Sequence, residues 1–153
     1  MASILHSILL IAIVVMPPLA VSQDLIRDHD TMGDVNCEAE MARLDHLAVE
    51  LEKIPSAKAV IIFYGGIRFR GRLPKRGEAA ARAARLKPYL VKRRGISADR
   101  VIVIDGGYRA DWEVEFWIIP PGEAMPEPQS VFEPANIKFR KGKAHPRDFR
   151  CKI

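Results

Sequence analysis

The hydrophobic positions along this chain change rhythm from segment to segment. From Glu38 to Ile54, the residues Met41, Leu44, Leu47, Ala48, Leu51 and Ile54 recur at spacings of three and four, which gathers them into one stripe of an α-helix. Asn36 is placed to cap that helix, Glu38 and Glu40 suit the positive end of its dipole, and Pro55-Ser56 stop it. The run Ala59-Val60-Ile61-Ile62-Phe63-Tyr64 is instead continuously apolar, as in a central strand covered on both faces, and Gly65-Gly66 closes it. A second helix is expected from Arg76 to Arg94, with Ala79, Ala83, Leu86 and Leu90 turned inward and Gly95 after its end. Pro88 removes one of its backbone hydrogen bonds and presses on the carbonyl of Ala84, so a kink belongs between 84 and 88.

Arg100 to Ile104 reads as another buried strand, closed by Gly106-Gly107. Trp112 to Ile119 alternates: Val114, Phe116 and Ile118 share one face, Glu113, Glu115 and Trp117 the other. That is the pattern of an antiparallel strand half open to water, and the short span before it permits a hairpin with the preceding strand. The expectation is an α/β domain of the α+β sandwich kind, with two helices packed on a small mixed sheet.

The flanks differ from this body. Residues 1–22 read as a signal peptide: the apolar run from Ile4 to Met16 is too short for a comfortable membrane span, Pro17-Pro18 break it, and Ala20-Val21-Ser22 offers small residues for cleavage before Gln23. No Lys or Arg precedes that run, which leaves a retained N-terminal anchor as the competing reading. Residues 23–36 form an acidic leader without a strand pattern, 37–120 the domain, 121–134 a Pro/Glu-rich mobile or extended linker, and 135–153 a basic tail in which Ile137 to Arg140 has room for a short edge strand. About 130 residues then remain after cleavage, enough for one core and too few for two ordinary domains.

Charge sharpens this division. The net charge is +5. Acids dominate from Asp24 to Lys53, whereas from Arg68 to Arg94 every charged residue except Glu78 is basic. Such a block attracts anions over roughly 8 Å at physiological ionic strength. A solvated helix face that partly neutralises the acidic first helix is the plainer alternative. The aromatics Tyr64 and Phe69 beside Arg68, Arg70 and Arg72 have the composition of a single-strand nucleic-acid platform, a partner that an exported chain rarely meets.

Cys37 precedes the first helix and Cys151 lies near the C-terminus. In an oxidising compartment they can pair, closing nearly the whole domain and stabilising it by on the order of 4 kcal/mol. Two free or buried thiols are the alternative. Neither is near a His at metal-ligand spacing, and no cofactor motif is present: Gly65-Gly66 is followed by no phosphate-loop lysine.

The order Arg82-Ala83, Tyr89-Leu90, Gly95-Ile96 and then Arg100 before an apolar strand, followed by Glu113-Val114-Glu115-Phe116, resembles the second half of the OmpA-like peptidoglycan-binding domain. The likeness runs from about Met41 to Ile119 and implies a periplasmic, envelope-associated, non-catalytic domain. In that family an Asp after the first central strand and an Arg early in helix two grip the carboxylate of the wall peptide's diaminopimelate. Arg82 matches the Arg by its spacing to Tyr89-Leu90. The Asp position falls on Ile67, no acid lies between Tyr64 and Arg76, and Lys75, Glu78 and Ala79 replace the residues that usually precede the Arg. The ligand-binding set expected here is therefore Arg68, Arg70, Arg72, Lys75, Arg76 and Arg82, facing cell-wall peptide, another anionic envelope component or an envelope protein.

Catalysis has little to build on. Asp28-His29-Asp30 and Asp45-His46 set His beside carboxylates only in sequence, where neighbours point different ways, and His46 belongs on the flank of helix one. No serine sits in a nucleophile elbow, and His145 has no partner that the sequence names.

Overall fold

The computed structural model describes residues 29–149 and 151. The signal-peptide assignment, its cleavage point and the first part of the leader lie outside these residues. The described chain is an α+β fold, with helices covering one face of a four-stranded mixed sheet and a separate two-stranded ribbon beside them.

Helix α1 spans Cys37–Lys53, and the Asn36 side chain accepts the Ala39 N–H at 2.9 Å, as its capping role requires. Its far end is closed by a residue from elsewhere. Arg100 donates to the carbonyls of Leu51, Ile54 and Ala57 at 2.9 to 3.0 Å, satisfying the orphan acceptors of the last turn. The expected second helix is divided into α2 (Glu78–Ala83) and α3 (Leu86–Lys92), since Pro88 has no N–H for the carbonyl of Ala84 and the chain breaks there instead of merely bending. Gly95 adopts φ 72°, and Ile96 N–H reaches back to Leu90 O, a glycine-dependent helix end.

The main sheet has the order β1-β5-β2-β4, with β1 His29–Met32, β2 Lys58–Gly66, β4 Val101–Arg109 and β5 Glu113–Ile119. β2 lies parallel to β4 and antiparallel to β5. Leu44, Leu47 and Leu51 of α1 with Leu86 and Leu90 of α3 bury the face carrying Ala59, Ile61, Val101, Val114 and Phe116. Each fully buried leucine here contributes about 1.5–3 kcal/mol over exposure. The opposite face holds a smaller cluster of Val60, Ile62, Tyr64 and Ile119, so β2 is covered on both sides, as its unbroken apolar run requires.

Several expectations are corrected. The leader is not wholly loose: its end forms β1, antiparallel to β5, although only Met32 of its described side chains is buried. Gly106-Gly107 does not end β4. The two glycines form a bulge, shown by the register step from Phe63↔Asp105 to Gly65↔Tyr108; a Cβ on Gly106 would come within 2.4 Å of the Tyr64 ring that occupies that space. β4 and β5 do not make a hairpin, because β2 separates them. Their connection arches over the end of β2 at Gly66, where a Cβ would meet the Trp112 nitrogen at 2.6 Å. Finally, the tail strand lies later than expected, as β6 (Arg140–Lys143), and runs parallel to β3 (Lys75–Arg76), which includes the residue expected to begin the second helix.

After β5 the chain turns at Pro121-Gly122 and has no helix or strand until Pro134–Asn136. It is tied to β4 where Tyr108 O accepts the N–H groups of Val131 and Phe132 at 2.8 and 3.1 Å. Cys37 and Cys151 form a disulfide across a sequence separation of 114. No described helix is long and apolar enough to cross a membrane.

Candidate anion-binding face

The loop after β2 begins with a tight reversal. Phe69 and Arg72 exchange backbone hydrogen bonds of 2.7 and 2.9 Å, with Arg70 at φ 47° and Gly71 at φ 75° between them. Positive φ at both central positions is what a two-residue hairpin turn demands, and Arg70 is the sole non-glycine residue among those described to accept it. Arg68, Arg70 and Arg72 are exposed around this tip. Arg70 reaches Asp34 at 3.1 Å and lies over the Phe69 ring, 5.1 Å from its centroid.

Beneath the tip, Arg82 occupies a different environment from the one expected. Its side chain is 7% exposed, bonded to Asp34 at 3.2 Å and 3.8 Å from Glu78, itself 7% exposed. The guanidinium carbon is 3.9 Å from the Phe69 centroid, with Trp112 and Phe149 at 5.2 and 5.3 Å. Burial pushes its pKa below the usual arginine value, while Asp34 and Glu78 pull it back. Arg82 is neither a solvent-facing base nor a free guanidinium. It is a buried junction where the leader, the hairpin, the β4–β5 connection, α2 and the tail converge.

Asp34 thus brings an acid to Arg82 that the loop after β2 does not contain. No local pattern announced it, since Asp34 is one acid among many in a segment without periodicity. The space beside Arg82, lined by Gly65, Gly66, Phe69, Lys75, Glu78 and Tyr108 among others, amounts to about 10 Å³. That is room for about one water, not for a diaminopimelate side chain. Gly65 and Gly66 lie within the β2 ladder opposite Tyr108 and Arg109, so they form part of the sheet and not an open anion cradle.

The accessible cations border this closed centre. Lys75 and Arg76 sit in β3, where they pair with Arg140 and Lys143 of β6 across a register shift. All four β6 positions are exposed. Arg76 stacks over Phe139 at 4.8 Å, and an open hollow of about 680 Å³ is bounded by Arg76, Gly77 and Phe139 through Lys143. Glu78 joins the two halves, for it lines the space beside Arg82 and lies 3.9 Å from Arg140. Of the six residues expected from sequence, five are brought to this border and Arg82 lies beneath it. Arg140, Lys141 and Lys143 were visible only as part of a basic tail. Their addition follows from the β3–β6 pairing.

Elsewhere the charged groups that adjoin histidines in sequence are spent on structure. Arg43 donates to both oxygens of Asp30 at 2.7 Å, and Asp45 accepts the Tyr89 hydroxyl at 2.8 Å. Glu40, buried in α1, takes a bidentate pair from Arg85, and Asp105 is turned to its own loop at Gly107 N–H.

Neither a protein-family model nor a curated protein matches this chain.

Proposed function

We propose that this protein is an exported, non-catalytic binding domain whose basic border receives an anionic component of the cell envelope, with peptidoglycan peptide as the first candidate. The observation that carries the reading is the border itself. Arg68, Arg72, Arg76, Lys141 and Lys143 are exposed, and no described carboxylate lies within ion-pairing distance of any of them. Arg82 supports this border from below, fixing Phe69 and the hairpin. The OmpA-like pattern from Met41 to Ile119 supports an envelope setting, and the disulfide fits an oxidising compartment. The ligand meets a surface instead of entering a cavity, so affinity comes from several charge contacts and is steep in salt.

Retention on purified sacculi tests this. The wild-type chain is expected to be held at low salt and released at high salt, and Arg68→Glu/Arg72→Glu/Arg76→Glu to pass through at both. Retention of the triple variant equal to wild type dismisses the reading.

A second reading, a periplasmic scaffold that engages another protein, is favoured by the outer edge of β4. There the half-buried Val103 lines an open apolar groove of about 440 Å³ together with Phe63, Ala83, Pro88 and Val91. Partner capture that survives high salt and is lost on Val103→Lys distinguishes it.

A further inference from the structure

The basic border is assembled from two stretches of chain, and only one of them belongs to the helix-covered body. Arg140, Lys141 and Lys143 stand on β6, in a tail whose noncovalent hold is thin. Arg140 N–H donates to Pro74 O, and Ala144 N–H to Arg76 O, at 3.0 and 3.1 Å. Phe139 meets the edge of Tyr108 at 6.1 Å and the Arg76 guanidinium at 4.8 Å, Arg140 lies 3.9 Å from Glu78, and of the tail's described residues only Ile137 and Ala144 are buried. Farther on, Phe149 O accepts from Arg85 at 2.8 Å while its ring approaches Arg82. The last anchor is covalent: Cys151 is bonded to Cys37, the first residue of α1. The tail is therefore an arch fixed at β4 through Val131 and Phe132 and at α1 through Cys151. Cutting the second foot turns it into a free end that must give up conformational entropy to hold β6 in place.

We propose that the Cys37–Cys151 bond is the latch that assembles this anion-binding border, so that the thiol state of the chain sets its affinity for the anionic ligand. The idea rests on the anion-binding reading above and adds its regulation. Closure is a thiol–disulfide exchange. One cysteine thiolate attacks a disulfide oxidant, releasing one of its thiolates; the other cysteine then attacks the mixed disulfide and releases the second. The two cysteines lose two electrons and two protons, and the oxidant leaves as a dithiol. Oxidation brings Arg140, Lys141 and Lys143 beside Lys75 and Arg76; reduction leaves the body with the hairpin and β3 cations only.

The test compares the oxidised full chain, the same chain in dithiothreitol, and Cys37→Ser/Cys151→Ser, with near-ultraviolet circular dichroism confirming that the body stays folded. Retention on purified sacculi is expected to fall at least about tenfold on reduction, as contacts from one linked segment are lost. Trypsin is expected to cut the Lys- and Arg-rich tail rapidly in the reduced chain and slowly in the oxidised one. Arg140→Glu/Lys141→Glu/Lys143→Glu changes only exposed side chains; it should bind weakly when oxidised and lose nothing more on reduction. Equal retention in both thiol states, a tail equally protected in both, or a further loss in the triple variant overturns the latch alone. No retention in either state overturns the anion-binding reading and the latch with it.

Discussion

The helix-covered sheet and the hairpin-and-tail region are built from opposite materials. In the first, leucines of α1 and α3 press on Ala59, Ile61, Val114 and Phe116, and the organising term is apolar area removed from water. In the second, a two-residue strand pairs with an exposed four-residue strand, and what holds the segments together is one buried guanidinium, the rings around it and one covalent bond. Apolar burial is nondirectional and tolerates relaxation. A buried charge is directional and fails as a unit when a partner is removed.

That contrast can be broken at Arg82. Arg82→Ala leaves the buried Glu78 with only Arg140, at 3.9 Å, as a cation and unties Phe69, Trp112 and Phe149, and is expected to cost about 3–5 kcal/mol in urea unfolding. It should also speed tryptic cleavage of the tail below the unfolding midpoint; if tail protection follows global stability alone, Arg82 is not the junction described. Leu90→Ala, wholly within the core, should cost about 2–5 kcal/mol, centred below the Arg82 effect, with tail cleavage changing only as much as global unfolding does. Preferential loosening of the tail by this variant would erase the distinction between the regions.

The smallest effect concerns pH. Tyr64 lies under the Arg109 guanidinium, 3.5 Å from its ring centroid, and burial raises its phenol above the ordinary value of 10.0. The protonated form is favoured in the folded chain, so its contribution is intact below pH 10.0 and is lost as pH rises from there through the folded value. Thermal melts of Tyr64→Phe should decline less than wild type above that pH, and parallel declines would show that this phenol is not the cause.

The sequence displayed the first region far better than the second, and for a physical reason. Helix α1 buries side chains at regular intervals and β2 buries an unbroken run, so their patterns place them; β4 pairs parallel with β2 from Ala59↔Val101 through Ile62↔Ile104, but as an edge strand whose Ile102, Val103 and Ile104 are half-buried and not as the buried strand its apolar run suggests. β1 escaped because its stability lies in a backbone ladder to β5 and in a single buried methionine, neither of which leaves a pattern. The path of the β4–β5 connection was hidden in Gly66, a residue whose importance is the space it leaves empty. At the candidate site, the cations were plain in the sequence, but the burial of Arg82 was not. It depends on Asp34 and Phe149, which stand 48 residues before and 67 residues after it in sequence and become neighbours only through the fold.

The covalent joint between residues 37 and 151 has a mechanical meaning. Tension applied upstream of β1 and downstream of Cys151 cannot stretch the loop between the cysteines, because the sulfur bridge carries the load. What lies outside the bridge yields first: β1 is peeled from β5, and Asp34 is drawn away from Arg82 while the leucine core feels no pull. A stretched molecule would thus keep its shape and lose one partner of its central arginine.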